Sequence, residues 1–409
     1  MTLPLIIIGP ADDISREAKG RSWHNFEFKR GFRSDFLAKV HILITHRHVI
    51  WVNFIDVTDL VNPGIDESSL SVWLQENVAQ SMPPYDYQLV DGGRSNLSYI
   101  VSDSTGSKFL LRRPPVSHVL ASAHDMKREY RVMEALRDTL VPVPAMYAFC
   151  SDEAVNGAPF YVMEYVEGFV LRDKKSVEDA GLDVAERKKC SSNLVQVLAN
   201  LHQVDYVAVH LDNFGKPGGY IARQVARWNK QFLAMCEPSE EPYGVINAIY
   251  EKLEKNIPRE TKTTIVHGDF RLDNTVVSKD GEVKAVLDWE LSTLGDPLAD
   301  LALLLVYWVE KDSGNPLLVP SPSAMEGFYT KAEVVESYVK LTGQDVSNLD
   351  FYVAFSYYKL ACILQGVLTR YRLGARAGDS SGAEGFAKQI VLLADMATEA
   401  LDKSLNTRD

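Results

Sequence analysis

The chain has 409 residues, 46% hydrophobic and 24% charged, enough to bury a substantial core as one large domain or two modest ones. A formal net charge of −12 argues against the basic face that binding a phosphate backbone demands, so no nucleic-acid partner is expected. The apolar opening at residues 5–8 is too short for a secretory signal. With no run of roughly 18 uncharged apolar residues, no membrane partner is expected either. The four scattered cysteines form no CxxC pair and read as buried free thiols of a reducing compartment, so a cytoplasmic location is expected.

Residues 1–66 read differently from the rest. They hold His24, His41, His46 and His48, but no cysteine or spaced acidic partner that would make a metal site. Residues 40–54 have strand character, and nothing assigns this extension a role. Asn62-Pro63-Gly64 is a turn signal, and Asp66-Glu67-Ser68-Ser69 then opens a helix carrying Trp73, Leu74 and Val78 that ends before Pro83-Pro84. A strand around Tyr87 and Leu89 follows, then the tight segment Asp91-Gly92-Gly93-Arg94-Ser95-Asn96, and a second strand over 97–101. Ser104-Thr105-Gly106 turns into a third strand over 109–112, followed by a helix over 123–136 and strands over 145–150 and 160–165. Beyond Gly168 the pattern is mainly helical, interrupted by strands at 264–266 and 283–287. The expected organisation is an extension (1–66), a small strand-rich lobe (67–167) and a larger helical lobe (168–409), with a cleft between the lobes suited to a nucleotide.

The strongest chemical signal is Val266-His267-Gly268-Asp269-Phe270-Arg271-Leu272-Asp273-Asn274, followed by Val286-Leu287-Asp288-Trp289-Glu290. An apolar strand ends and delivers Asp269 into a loop; Asn274 comes five residues later, and 14 residues beyond it another strand end delivers Asp288. Phosphoryl transfer asks for little more: a carboxylate to orient the attacking hydroxyl and oxygen ligands to hold Mg²⁺ on the phosphates. The bland alternative for any one such Asp is a turn or cap residue.

This pattern resembles the signature of the aminoglycoside phosphotransferase and choline kinase superfamily. The resemblance covers about residues 70–400 and implies an α+β, protein-kinase-like fold with a strand-rich N-lobe and a mainly helical C-lobe. It also implies a kinase that uses ATP and Mg²⁺ to phosphorylate a small-molecule hydroxyl, with Asp269 as catalytic base and Asn274 and Asp288 as metal ligands. Gly92, Gly93, Arg94, Ser95 and Asn96 depart from the GxGxxG loop of protein kinases. They resemble the phosphate loop of the superfamily branch attached to some acyl-CoA dehydrogenases, where Gly-Gly-x-Ser-Asn recurs. In that branch an arginine replaces the kinase lysine at the end of the third strand, which points to Arg112, with Arg113 as the alternative register. Arginine holds phosphate bidentately, so the chemistry survives the exchange.

The partner of Arg112 follows from helical spacing. Met126, Met133 and Leu136 share one face of their helix with Glu129, and a carboxylate on an apolar stripe is costly unless paired. Glu134 lies off the stripe and reads as solvated. By resemblance, residues 160–168 form the interlobe hinge, with the Glu164 carbonyl and the Val166 N–H bonding the adenine. Asp296 before Pro297 reads as a helix N-cap, Asp300 as a brace for the loop at 267–274, and His202 as a buried structural histidine.

The branch resemblance implies a hydroxyacyl or hydroxyacyl-CoA acceptor; an aminoglycoside or choline-like amino alcohol is the alternative. A catalytically silent kinase-like binding module is a different class of reading, opposed by the intact Asp269, Asn274 and Asp288. A protein kinase is disfavoured by the missing HRD and DFG triplets.

Overall fold

A computed structural model describes residues 23–29, 37–45, 48–53, 62–90, 96–116, 125–311, 320–372 and 381–406, with side chains from residue 62 onward except 381–384. Strands β1 (Trp23–Lys29), β2 (Leu37–Thr45) and β3 (His48–Asn53) pair antiparallel in that order. The strand character of residues 40–54 therefore resolves into two neighbouring strands.

The next unit is an antiparallel sheet with helices on both faces. Helix α1 (Glu67–Asn77) starts where Asp66 accepts the Ser69 N–H, the cap that its opening residues imply. It is followed by β4 (Asp86–Leu89), β5 (Leu97–Ser102), β6 (Lys108–Arg113), α2 (Met126–Leu136), β7 (Met146–Cys150), the single turn α3 (Glu153–Asn156) and β8 (Phe160–Glu164). The strand order is β4-β5-β6-β8-β7. Alternation along the strands divides the side chains between two cores. Tyr99, Val101, Phe109, Leu111, Phe160 and Val162 cluster with Leu70 and Leu74 of α1. Tyr161 and Met163 join Met126, Val132, Met133 and Leu136 of α2 in the main core. One consequence decides the site: Arg113 shares the α1 side with Leu111, and Arg112 emerges on the side of α2 and the helical part.

That helical part contains α4 (Lys174–Ala180), α5 (Val184–Gln203), α6 (Tyr220–Leu233) and α7 (Pro242–Lys255). Four short strands follow, β9 (Thr264–Val266), β10 (Thr275–Val277), β11 (Val283–Val286) and β12 (Thr293–Gly295). The chain then forms α8 (Pro297–Tyr307), α9 (Lys331–Thr342), α10 (Leu349–Arg372) and α11 (Ser381–Asn406). The short strands make two antiparallel ribbons, β9 with β12 and β10 with β11, which hold the loops between them side by side. Helix α5 begins at Val184, where Asp183 and Glu186 close a capping box on a polar first turn. Strands β10 and β12 span three residues each and add to the strands expected at 264–266 and 283–287.

Helix α8 is buried from Pro297 to Val306. It lies against α10, whose Phe351, Tyr352, Phe355 and Tyr358 fill the same core, as the all-round apolarity of that stretch implies. Among the described helices, α10 is the one long and apolar enough to cross a bilayer, and 67% of its most apolar window is buried inside the fold. The four cysteines are free and buried. Leu301, fully buried on α8, anchors this packing. Replacing it with alanine lowers the unfolding free energy by about 2–5 kcal/mol in a urea melt. A loss under about 1 kcal/mol would contradict close packing around α8.

Candidate functional site

The loop after β9 is held by its backbone. The His267 and Gly268 N–H groups donate to Oδ2 and Oδ1 of Asp300, at 2.6 and 2.8 Å. Gly268 has φ +84°, and a Cβ there would stand 2.8 Å from the Leu291 carbonyl oxygen, so glycine is required. The His267 ring donates from Nε2 to the Leu287 carbonyl at 2.9 Å, which leaves Nδ1 to accept the Asp269 N–H at 3.2 Å. Its ring centroid lies 4.7 Å from that of Trp289. Histidine thereby ties the loop carrying Asp269 to the loop carrying Asp288.

Asp300 braces this loop, and Asp296 caps α8 by accepting the Leu298 N–H at 3.0 Å and the Tyr352 hydroxyl at 2.6 Å. His202 is a buried structural histidine, its Nδ1 2.7 Å from the Tyr338 hydroxyl and its Nε2 3.4 Å from Asp300 Oδ2. Burial works to raise the Asp300 pKa, but its contacts with His202 and His267 outweigh that and hold it below the ordinary carboxylate range.

Asn274 turns its amide nitrogen toward Asp269, donating to the backbone carbonyl at 2.8 Å and to Oδ2 at 3.0 Å. The Leu287 N–H donates to the Asn274 carbonyl at 2.8 Å, and Thr275 pairs with Val286, so Asn274 and Asp288 stand at adjacent ends of one ribbon. Asp288 itself has φ +65°, a left-handed conformation uncommon for a residue other than glycine. The Arg271 Nε lies 3.3 Å from Asp269 Oδ2 and 3.1 Å from Asp273 Oδ1, with the guanidinium over the Tyr307 ring. Burial opposes the Arg271 charge, but Asp269, Asp273 and then Asp288 raise its pKa above the ordinary value. The Arg271 charge is thus offset chiefly by its two contacting carboxylates, Asp269 and Asp273.

From the sheet side, Arg112 Nη2 donates to Asp288 Oδ1 at 2.5 Å, and its Nε lies 3.1 Å from Glu129 Oε2, within ion-pair range but off hydrogen-bond alignment. Glu129 is 1% exposed and also accepts from the Tyr161 hydroxyl at 3.0 Å and from Asn96 Nδ2 at 3.1 Å. The same Asn96 nitrogen donates to Glu290 Oε2 at 3.2 Å. Burial raises the Glu129 pKa, and Arg112 works against that rise. The alternative Arg113 turns away, donating to the Gly64 and Asn156 carbonyls. Glu134 pairs with Arg137 at the surface.

Glu164 ends β8, with its side chain accepting the Ala145 N–H at 3.1 Å, and Val166 follows in the segment that leads into the helical part. Gly92, Gly93, Arg94 and Ser95 lie outside the described residues. Sequence reasoning left four side chains of this region without a role: Arg271, Glu290, Tyr161 and Lys359, the last donating to the Gly268 carbonyl at 2.9 Å. The first two sat inside the quoted motifs; a lysine amid the apolar run of α10 was the missed signal for the fourth.

The donor set fits Mg²⁺. With its nitrogen committed to Asp269, Asn274 offers its amide oxygen, and Asp288 supplies a carboxylate; both are hard oxygen ligands. Among the described residues no group of three or more His, Cys, Asp or Glu side chains gathers as a metal cage. Mg²⁺ held by one or two protein oxygens together with phosphates does not need such a cage.

Residues 86–319 match the model of the APH family, described as the phosphotransferase enzyme family. The chain is 38% identical over 329 residues to mouse acyl-CoA dehydrogenase family member 10, covering 79% of this chain and 30% of that protein. It is 34% identical over 350 residues to human acyl-CoA dehydrogenase family member 11, covering 84% of this chain and 44% of that protein. The chain therefore spans less than half the length of these curated relatives. A Ralstonia eutropha crystal structure, solved as a candidate aminoglycoside phosphotransferase, superposes with a TM-score of 0.69 at 34% identity, covering 83% of this chain and 98% of that one. An ADP-bound aminoglycoside phosphotransferase, 15% identical with a TM-score of 0.54 over 81% of this chain and 99% of that one, shares the fold.

Because the Asp300 pKa is depressed on folding, its contribution to stability is complete above the unfolded value of 3.8 and is lost as pH falls through the lower folded value. Asp300→Asn is expected to cost roughly 3 kcal/mol near neutral pH. The gap between wild type and variant in urea melts should narrow on acidification below about pH 4; a gap that is constant with pH would count against the brace being ionic.

Proposed function

The chain belongs to the APH phosphotransferase enzyme family and is a phosphotransferase with an alcohol group as acceptor; from that premise we propose that it transfers the γ-phosphate of ATP, with Mg²⁺, to the hydroxyl of a hydroxyacyl compound, free or as its CoA thioester. The observation that carries this reading is the geometry at the two strand ends, where Arg112 donates to Asp288 while Asn274 turns its amide nitrogen to Asp269.

In this mechanism Asp269 orients the acceptor hydroxyl and takes its proton as the new O–P bond forms and the bond from the γ-phosphorus to the departing ADP oxygen breaks. Asn274 holds the Asp269 carboxylate in place, and Arg112, fixed by Glu129, binds phosphate oxygens on the sheet side. The Asp288 carboxylate and the Asn274 amide oxygen would hold Mg²⁺, which would supply charge neutralisation on the phosphates. The Glu164 carbonyl and Val166 N–H take the adenine edge, and residues 92–96 form the phosphate loop. The protein contributes mainly positioning and electrostatics, as phosphoryl transfer requires.

The acceptor class rests on the relatives at 38% and 34% identity, which are named as acyl-CoA dehydrogenase family members.

Thermal shift and ADP release test the proposal. Mg·ATP is expected to raise the melting temperature of the wild type, and Asp288→Ala to lose the Mg²⁺-dependent part of that rise. Asp269→Asn should lower turnover about 10²–10⁴-fold while still binding nucleotide. Among hydroxyacyl-CoAs, free hydroxy acids, choline and kanamycin, the hydroxyacyl compounds should give the fastest ADP release. Fastest release with choline or kanamycin would move the acceptor to the amino-alcohol class. A wild type unmoved by Mg·ATP would favour a silent binding module.

A further inference from the structure

Helix α10 is apolar along its length, yet it buries Lys359 at 9% exposure, between Trp228 of α6 and the loop after β9. The Lys359 Nζ donates to the Gly268 carbonyl at 2.9 Å and stands 6.0 Å from the Trp228 ring centroid. Burial pulls its pKa down, Asp269 and then Asp300 work against that, and Arg227 adds to the lowering. Burying an ammonium costs several kcal/mol even after relaxation, and a methionine would fill the same space without that cost. Packing alone therefore does not account for a lysine here.

Its hydrogen bond falls on one particular peptide, the unit joining Gly268 to Asp269. The N–H of that unit is held by His267 Nδ1 at 3.2 Å and its carbonyl by Lys359, while the Gly268 N–H before it goes to Asp300. Gly268 has a left-handed φ of +84°, in the region where glycine is the most permissive residue, so pins from outside set the orientation of this peptide. We propose that Lys359 is a positioning residue: by fixing the carbonyl of the peptide that carries Asp269, it aims the Asp269 carboxylate at the acceptor hydroxyl without touching the reactants. The inference rests on the reading of Asp269 as the group that orients the hydroxyl.

Lys359→Met keeps the length and bulk but neither the charge nor the donor, and Lys359→Arg keeps both. With Mg·ATP and water as acceptor, followed by ADP release, Lys359→Met is expected to lower kcat roughly ten- to a hundredfold, the scale of a small misplacement of a reacting group. KM for ATP should stay within about twofold, because the nucleotide contacts are untouched. Lys359→Arg should recover part of the rate. In an Asp269→Asn background the methionine substitution should add no further loss, since the two residues act as one unit. Deuterium uptake over residues 267–274 should rise in Lys359→Met at unchanged global stability. If the methionine variant does not fold, Lys359→Gln, with a donor but no charge, is held to the same expectations. A kcat within twofold of wild type, a multiplicative loss in the double variant, or unchanged uptake over 267–274 would overturn the role of Lys359. A wild type that turns over no Mg·ATP with water or with any of the hydroxyl acceptors named above would instead overturn the phosphotransfer reading, and the uptake measurement would still decide whether Lys359 pins the loop.

Discussion

The Arg112 guanidinium is shared between carboxylates of the sheet unit and of the helical part. Arg112 leaves the sheet toward Glu129 on α2 and Asp288 at the end of the β10–β11 ribbon, so one cation compensates carboxylates contributed by two different units. On the Glu129 side, which is almost wholly buried, a missing partner would be expensive, because an uncompensated buried charge costs several kcal/mol. Glu129 can sit on the apolar stripe of α2 because Arg112, Tyr161 and Asn96 all reach it. Asn96 extends the network to Glu290, so the sheet, α2 and the segment after β11 are fastened at one point.

Opposite that bridge, the loop from His267 to Asn274 gains rigidity from the assignment of its own backbone groups. Asp300 takes two N–H groups, the His267 ring takes the Asp269 N–H, Lys359 takes the Gly268 carbonyl and Asn274 the Asp269 carbonyl. His267 and Asn274 belong to the loop itself, while Asp300 comes from α8 and Lys359 from α10, so the loop's shape depends on both helices. Preorganisation of this kind is what electrostatic catalysis demands, since a group fixed beforehand needs no reorganisation during the reaction.

Several features of the site were legible before any coordinates. His267-Gly268-Asp269, Asn274 and Asp288 lie in two contiguous motifs whose spacing survives any packing, and local strand ends suffice to deliver them. Glu129 was legible because a carboxylate on an apolar stripe announces a partner. The caps at Asp66 and Asp296 were legible for the same local reason. Lys359 was not, because its partner lies 91 residues away in the chain and its own helix shows only an all-round apolar face. The three-residue strands β10 and β12 were not expected from the sequence, although the equally short β9 was.

The choice between Arg112 and Arg113 marks the boundary between the two kinds of information. The sequence alone determined that an arginine ends the third strand, that two carboxylates and an asparagine follow strand ends in a set order, and that α2 would need a cation. Which arginine supplies that cation depends on the face of β6 turned toward α2, and one residue of register exchanges the faces. Leu111 buried against α1 settled it, sending Arg113 to the Gly64 and Asn156 carbonyls and Arg112 to the carboxylates. Local chemistry is written in order along the chain; the pairing of distant charges is decided only when packing chooses which side of each strand faces in.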